Sequence, residues 1–367
     1  MFAASATALQ AGPKQFAYLD EDTGRTFVPL RLMGEYAGAA VDWQPEAERI
    51  VLRKEGKEIV LHLGRSEAGI GSEAMPLDAP PFALDGVTYV PLRFVGTALG
   101  LSVEWQKEIN AVRIAQQDGD VRLPVVPLGS IRTDKSPIVH ESRTFQVGGK
   151  SFKAQIITIS LMDPRVELDV VPAGGKICRT EALSSIAERH GAMVAINGAF
   201  FDAYTESDIK MPYGWIMNDG EVLNRGTGEV RATFIYDKNN LAEVADGGDM
   251  PGLIREGNID GAIQAGPRLV RDGKVDLDVE GERFRDPKIL TSSGARSALG
   301  ITRDHKLMLV TVPAATIPQL AEIMRQAGAW QAMNLDGGAS SGLYYNGKYV
   351  TTPGRLLSNV LIVKLER

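Results

Sequence analysis

Apolar positions in this chain fall in short alternating runs. The longest uninterrupted ones, such as Ala192–Ile196 and Leu307–Val310, span only four or five residues, too few for a membrane-spanning helix. Period-two alternation over Arg143–Val147, Lys153–Leu161 and Val166–Val171 predicts three strands, the first two joined at Gly148-Gly149. Asp219-Gly220, Asp272-Gly273 and Asn346-Gly347 mark further hairpins. Helical spacing is rarer. One helix is expected from a Thr180 cap to His190-Gly191, with His190 read as a structural cation in the last turn. A second has Ile317, Leu320, Ala321, Met324 and Ala327 on one face, a Thr316/Gln319 capping-box pattern at its start and Gly328 at its end.

The amino-terminal third repeats itself. Thr26-Phe27-Val28-Pro29-Leu30-Arg31 recurs 62 positions later as Thr88-Tyr89-Val90-Pro91-Leu92-Arg93. Gly34 with Gly96, Gly38 with Gly100, Val41-Asp42-Trp43-Gln44 with Val103-Glu104-Trp105-Gln106, and Ile50 with Val112 extend the match. Each unit reads as a strand, a helix with Pro at its first position, and two short strands, although the first lacks an obvious leading strand. Arg31 and Arg93 read as capping ion pairs and Trp43 and Trp105 as core anchors, with a ligand site as the alternative. From residue 116 to 140 Pro124, Pro127, Pro137, Gly119 and Gly129 predict a semi-extended linker. The expected fold class is α+β. A small repeated β-α-β-β module over 15–115 and the linker over 116–140 precede a larger mixed-sheet α+β domain over 141–367.

Composition narrows function. Forty basic against 46 acidic side chains leave a net charge of −6, so no basic surplus exists for general nucleic-acid binding. Cys178 is the one cysteine, which excludes an intrachain disulfide and a multi-cysteine zinc site. No calcium-loop spacing occurs and the four histidines are scattered, so no cofactor, metal site or Ser-His-Asp triad is predicted; a divalent-metal requirement is left open. Ala4-Ser5-Ala6 and Ala6-Thr7-Ala8 in the small, apolar Met1–Gln10 stretch look like the tail of an export signal without its basic start, with a disordered start as the alternative.

Three segments depart from what a core needs. Val194-Ala195-Ile196 runs into Asn197-Gly198-Ala199-Phe200-Phe201-Asp202, so an amide and a carboxylate sit at a strand end, with Gly198 open to close ligand approach. Asn334-Leu335-Asp336-Gly337-Gly338-Ala339-Ser340-Ser341 again ends a strand in polar groups; period two puts Asn334 and Asp336 on one face. Arg296, flanked by small residues, suits a phosphate or carboxylate. Ordinary turns and a buried ion pair are the alternatives. Asp208 and Lys210 follow as possible rim residues.

These segments, with Gly266-Pro267-Arg268-Leu269-Val270, Arg296-Ser297-Ala298-Leu299-Gly300 and Arg355-x-x-Ser358-Asn359, resemble the phosphodiester glycosidase family typified by the mannose-6-phosphate uncovering enzyme. The doubled amino-terminal pattern resembles the copper amine oxidase N-terminal-like domain of exported bacterial proteins; His62 alone there supports no copper site. Ser297 and Ala339 replace a usual Thr and Gly. The resemblance implies a hydrolase cleaving a sugar-1-phosphate diester of the N-acetylglucosamine type on an extracellular or cell-envelope glycan. Asp336, Arg296, Asn197 and Asn334 would be catalytic, with Gly198, Phe200, Asp202, Gly337, Gly338, Ser340, Ser341 and Asn359 binding substrate. It further implies location outside the cell or at its surface, and wall attachment through the repeats. A non-catalytic glycan- or envelope-binding protein and a phosphodiesterase cutting P–O remain alternatives.

Overall fold

The computed structural model describes residues 14–115, 120–226 and 230–366. The Met1–Gln10 reading and positions 116–119 of the expected linker lie outside them. The chain divides into two units, Gln15–Lys135 with Arg303–His305, and Ser136–Thr302 with the chain from Lys306 onward. Strands dominate and helices are short, an α+β architecture. Among the described residues no helix is long and apolar enough to cross a membrane.

In the smaller unit the repeat is written into the packing. Arg25–Pro29 pairs antiparallel with Val87–Pro91 through Phe27↔Pro91, Val28↔Val90 and Pro29↔Tyr89. Equivalent residues therefore meet about a local twofold centred on Val28 and Val90. Equivalent positions also fill one core: Met33 with Val95, Ile50 with Val112, Leu52 with Ile114. Burying each such side chain contributes about 1.5–3 kcal/mol. Four sequence expectations change here. The first copy does have its leading strand, Ala17–Asp20, which pairs with Arg25–Pro29. Pro29 and Pro91 occupy the N-caps of their helices, one position earlier than expected. Trp43 and Trp105 are 40% and 39% exposed, because each lies on the edge strand of its sheet, where no further strand covers it. Arg93 does form an ion pair, to Asp78 at 3.7 Å, but on the surface and without capping its helix.

The linker reading also yields. Val121–Pro127 is a strand, antiparallel to Ala111–Ala115 and parallel to Ala17–Asp20. Pro124 and Pro127 suggested an unpacked segment, but Leu123, Val125 and Val126 are buried, and that burial outweighs the donors proline removes.

Among its described residues the larger unit contains three sheets. Seven strands run in the order Ile138–Val147, Lys150–Ser160, Lys306–Ala315, Gly294–Ile301, Gln331–Asn334, Arg268–Arg271 and Lys274–Val275. Five run Val166–Pro172, Asn359–Leu365, Val194–Asn197, Leu343–Tyr345 and Lys348–Thr351. Five more run Glu221–Asn224, Ile216–Asn218, Gly261–Gln264, Thr233–Tyr236 and Ala242–Ala245. Helix Ile317–Ala327 starts at the Thr316/Gln319 capping box and stops at left-handed Gly328. It lays Leu320, Ala321, Ile323 and Met324 on a core with Ile156, Ala298, Val310 and Ala332. Helix Leu183–Arg189 begins at Ala182 without a side-chain cap, not at Thr180. Its Leu183, Ile186 and Ala187 anchor it on Ala195, Val360 and Ile362 instead.

Candidate active site

Two strands from different sheets end side by side. Val194–Asn197 continues into Gly198, and Gln331–Asn334 into Leu335-Asp336. The Asp336 N–H donates to Gly198 O at 3.0 Å. Asn197 Nδ2 donates to the Asp336 carbonyl at 2.6 Å, and its Oδ1 accepts the Gly342 N–H at 3.0 Å. Leu335 N–H reaches Ser297 O at 2.9 Å, tying in strand Gly294–Ile301, which bulges just before Arg296. The apolar runs drive these strands into the interior, and their polar ends are left where the sheets stop.

Beyond those ends lies a cavity of about 500 Å³. Asp336, Gly337 and Gly338 line it with Phe200, Asp202 and Arg296. Two oppositely charged groups from separate motifs thus share one pocket. Asp336 keeps some exposed surface as a residue, but its carboxyl lies deep, and burial raises it to about 6. It accepts the Gly337 N–H at 2.9 Å, while Ser340 Oγ lies near enough to pull the value down yet outside hydrogen-bond geometry. Arg296 is 4% exposed. Its Nε donates to Ala315 O at 2.9 Å and its Nη2 to Lys288 O and Ser292 O, both at 2.6 Å. Among the described residues no carboxylate lies within ion-pair distance of it, and burial lowers its pKa. A buried cation held only by carbonyls is poised for an anion that the chain itself does not supply.

Other expected residues serve a different purpose. Asn197 and Asn334 are buried outside the cavity lining. Asn197 spends both ends of its amide on backbone. Asn334 Nδ2 donates to Gly266 O at 2.8 Å, and its Oδ1 is buried without a partner. The strand stops at Asn334, so period two does not carry over to Asp336 and their side chains diverge. Asn359 Oδ1 accepts the Ala199 N–H at 2.8 Å, away from the cavity. A Cβ on Gly198 would overlap that Asn359 amide, so this glycine is required by packing rather than by ligand approach. Ser340 and Ser341 are buried and off the cavity wall. Asp208 and Lys210 do not line it either; Lys210 Nζ donates to Thr205 O.

The cavity also presents groups that sequence reading left unassigned. Tyr204, Lys288 and Arg355 stand at its mouth, Arg231 lies 4.5 Å over the Phe284 ring, and Phe284 packs edge-on against Phe200. Arg355 belonged to a recognised motif and carried that much signal. Lys288, in a helix of only four residues, and Tyr204, in a loop, carried none. Among the described residues no group of three or more His, Cys, Asp or Glu is arranged to hold a metal.

The comparisons agree with this architecture. Residues 190–364 match the family model described as phosphodiester glycosidase, and residues 13–114 match that of the copper amine oxidase N-terminal domain. No curated protein has a matching sequence. A hypothetical protein from Synechocystis aligns in structure over 96% of this chain and 99% of its own, with a TM-score of 0.56 and 14% identity. The zebrafish N-acetylglucosamine-1-phosphodiester alpha-N-acetylglucosaminidase catalytic domain, auto-inhibited by its pro-peptide, aligns over 65% of this chain and 86% of its own, with a TM-score of 0.53 and 21% identity. At these identities the two structures show a shared fold. Residues 190–364 are therefore similar to the phosphodiester glycosidase family, and residues 13–114 before them to the copper amine oxidase N-terminal domain.

Proposed function

We propose that this protein hydrolyses a sugar-1-phosphate diester of the N-acetylglucosamine type on an extracellular or cell-envelope glycan. The observation that carries the reading is the convergence of Asp336 and Arg296, from distant parts of the sequence, on one cavity. In the reaction the C1–O bond breaks and its electron pair leaves with the phosphate. Positive charge develops at C1 and the ring oxygen, and the ionised Asp336 carboxylate stabilises it. Water adds to C1, its oxygen stays on the sugar, and its released proton passes to the departing phosphomonoester or to solvent. Phosphate is a good leaving group, so the demand for a general acid is small. Arg296, with Nε and Nη2 held by carbonyls, offers Nη1 to a phosphate oxygen. Asn197 acts as a positioning residue that fixes the Asp336 backbone, and Asn334 does the same for the Gly266 turn.

The test is a panel of sugar-1-phosphate diesters hydrolysed in oxygen-18 water. Label in the sugar supports C–O cleavage; label in the phosphate identifies a phosphodiesterase. Absence of turnover on every diester, with sugar binding retained, favours the glycan-binding alternative. The family resemblance of the repeats supports a role outside the cell. Exposed Trp43 and Trp105, at equivalent repeat positions, offer surfaces for wall attachment; fractionation with and without residues 15–135 tests this.

A further inference from the structure

The cavity lining carries cations beyond Arg296, with Lys288 and Arg355 standing alongside the acids Asp202 and Asp286. Tyr204 is 74% exposed there, and two cations from separate elements converge on it. Arg355 Nη2 donates to Tyr204 Oη at 3.0 Å, and Lys288 Nζ donates to the same oxygen at 3.4 Å. Each charge centre also lies 4.8 Å from the centre of the Tyr204 ring. Lys288 comes from the short helix Pro287–Leu290, and Arg355 from the loop before Asn359–Leu365.

Among the described residues neither cation has a carboxylate within ion-pair distance. Asp286, the nearest acid in sequence, spends its Oδ1 on the Lys288 backbone N–H at 2.8 Å. Two like charges are therefore gathered on one neutral phenol oxygen, within reach of the Asp336 carboxylate that both also favour, an arrangement that an incoming anion relieves. The Tyr204 hydroxyl is held below its ordinary value by those same two donors, Arg355 foremost.

We propose that Lys288, Arg355 and Tyr204 form a second anion subsite, so that the substrate carries another phosphate on the leaving-group side of the scissile one. This rests on the diester reading above: Arg296 meets the scissile phosphate, and the mouth pair meets the next. The shared chemistry is two phosphates in sequence, either joined directly or separated by a short polyol.

Three substrates separate the cases. N-acetylglucosamine 1-(methyl phosphate) carries one phosphate. The same compound with glycerol 3-phosphate in place of methanol carries a second across a polyol. Uridine diphosphate N-acetylglucosamine carries a second directly attached. At low salt the wild type should favour at least one two-phosphate substrate by about tenfold or more in kcat/KM, the scale of a charge-assisted contact. That preference should shrink toward unity in Lys288→Gln/Arg355→Gln and as ionic strength rises. Thermal melts check that the substitutions leave the fold intact. No preference in the wild type overturns the proposal. So does an equal loss on all three substrates, which would mean that the pair grips the scissile phosphate itself.

If no diester is turned over, the hydrolase reading fails, and the subsite is then judged by calorimetric titration of glycerol 3-phosphate. Binding by the wild type that weakens about tenfold in the double variant supports it, and equal binding by both overturns it.

Discussion

Asp336→Asn should make the protein inactive and, above pH 6, more stable. Burial raises the carboxyl from 3.8 to about 6 in the folded chain. The native state therefore holds this proton more tightly than the unfolded state between those values. Stability from this group is fully present below about pH 4 and is lost as pH rises through about 6. By neutral pH the ionised, buried carboxylate costs up to about 3 kcal/mol relative to its protonated form. Asparagine keeps an oxygen for the Gly337 N–H, now accepted at 2.9 Å, and carries no charge. For a domain of this size each kcal/mol moves Tm by roughly 2–4 °C. The variant should then melt up to roughly 6–12 °C higher than wild type at pH 8, with the difference vanishing near pH 4. Turnover of a sugar-1-phosphate diester should drop by about two orders of magnitude or more. Wild-type kcat should rise with pH through about 6 as the carboxylate ionises. The assay pairs melts at both pH values with kinetics on the same preparations. A variant that melts lower at pH 8, or that retains near-wild-type activity per folded molecule, refutes the argument. A wild-type rate that falls as pH rises through 6 makes the group an acid instead.

Further expectations concern the supports of that site. Gly198→Ala would drive a methyl into Asn359 and break its bond to Ala199, costing about 1–3 kcal/mol in urea denaturation; a neutral result would remove the packing reason for this glycine. Asn197→Ala strands the Asp336 carbonyl and the Gly342 N–H. It should cost about 1–3 kcal/mol per orphaned group and lower kcat more than it changes KM, a split that steady-state kinetics reads directly. Thr316→Ala removes the cap of helix Ile317–Ala327 and should destabilise by about 1 kcal/mol with kinetics unchanged per folded molecule. Lys288→Gln removes a cation that lowers the Asp336 value, so the acidic limb of the wild-type pH–rate profile should move to higher pH; a shift to lower pH would contradict the assigned field.

Local chemistry alone determined much of this protein. The Thr316/Gln319 box, the Gly328 stop, the long hairpin about Gly148-Gly149 and the 62-residue repeat are written in short-range patterns, because caps and turns depend on nearby backbone groups. Asp336 and Arg296 were legible as candidates because charged groups interrupting small and apolar runs have no packing reason to be there. Tertiary structure decided the rest. It made Val121–Pro127 a strand despite two prolines, since burial against neighbours outweighed local preference. It left Trp43 and Trp105 in solvent, because edge position is a property of the sheet and not of the strand. It turned Asn197, Asn334 and Asn359 away from the cavity to satisfy buried backbone groups, a demand that exists only once strand ends from separate sheets meet. And it brought Tyr204, Lys288 and Arg355 together from two loops and one short helix far apart in sequence, where only the closed fold sets the distances.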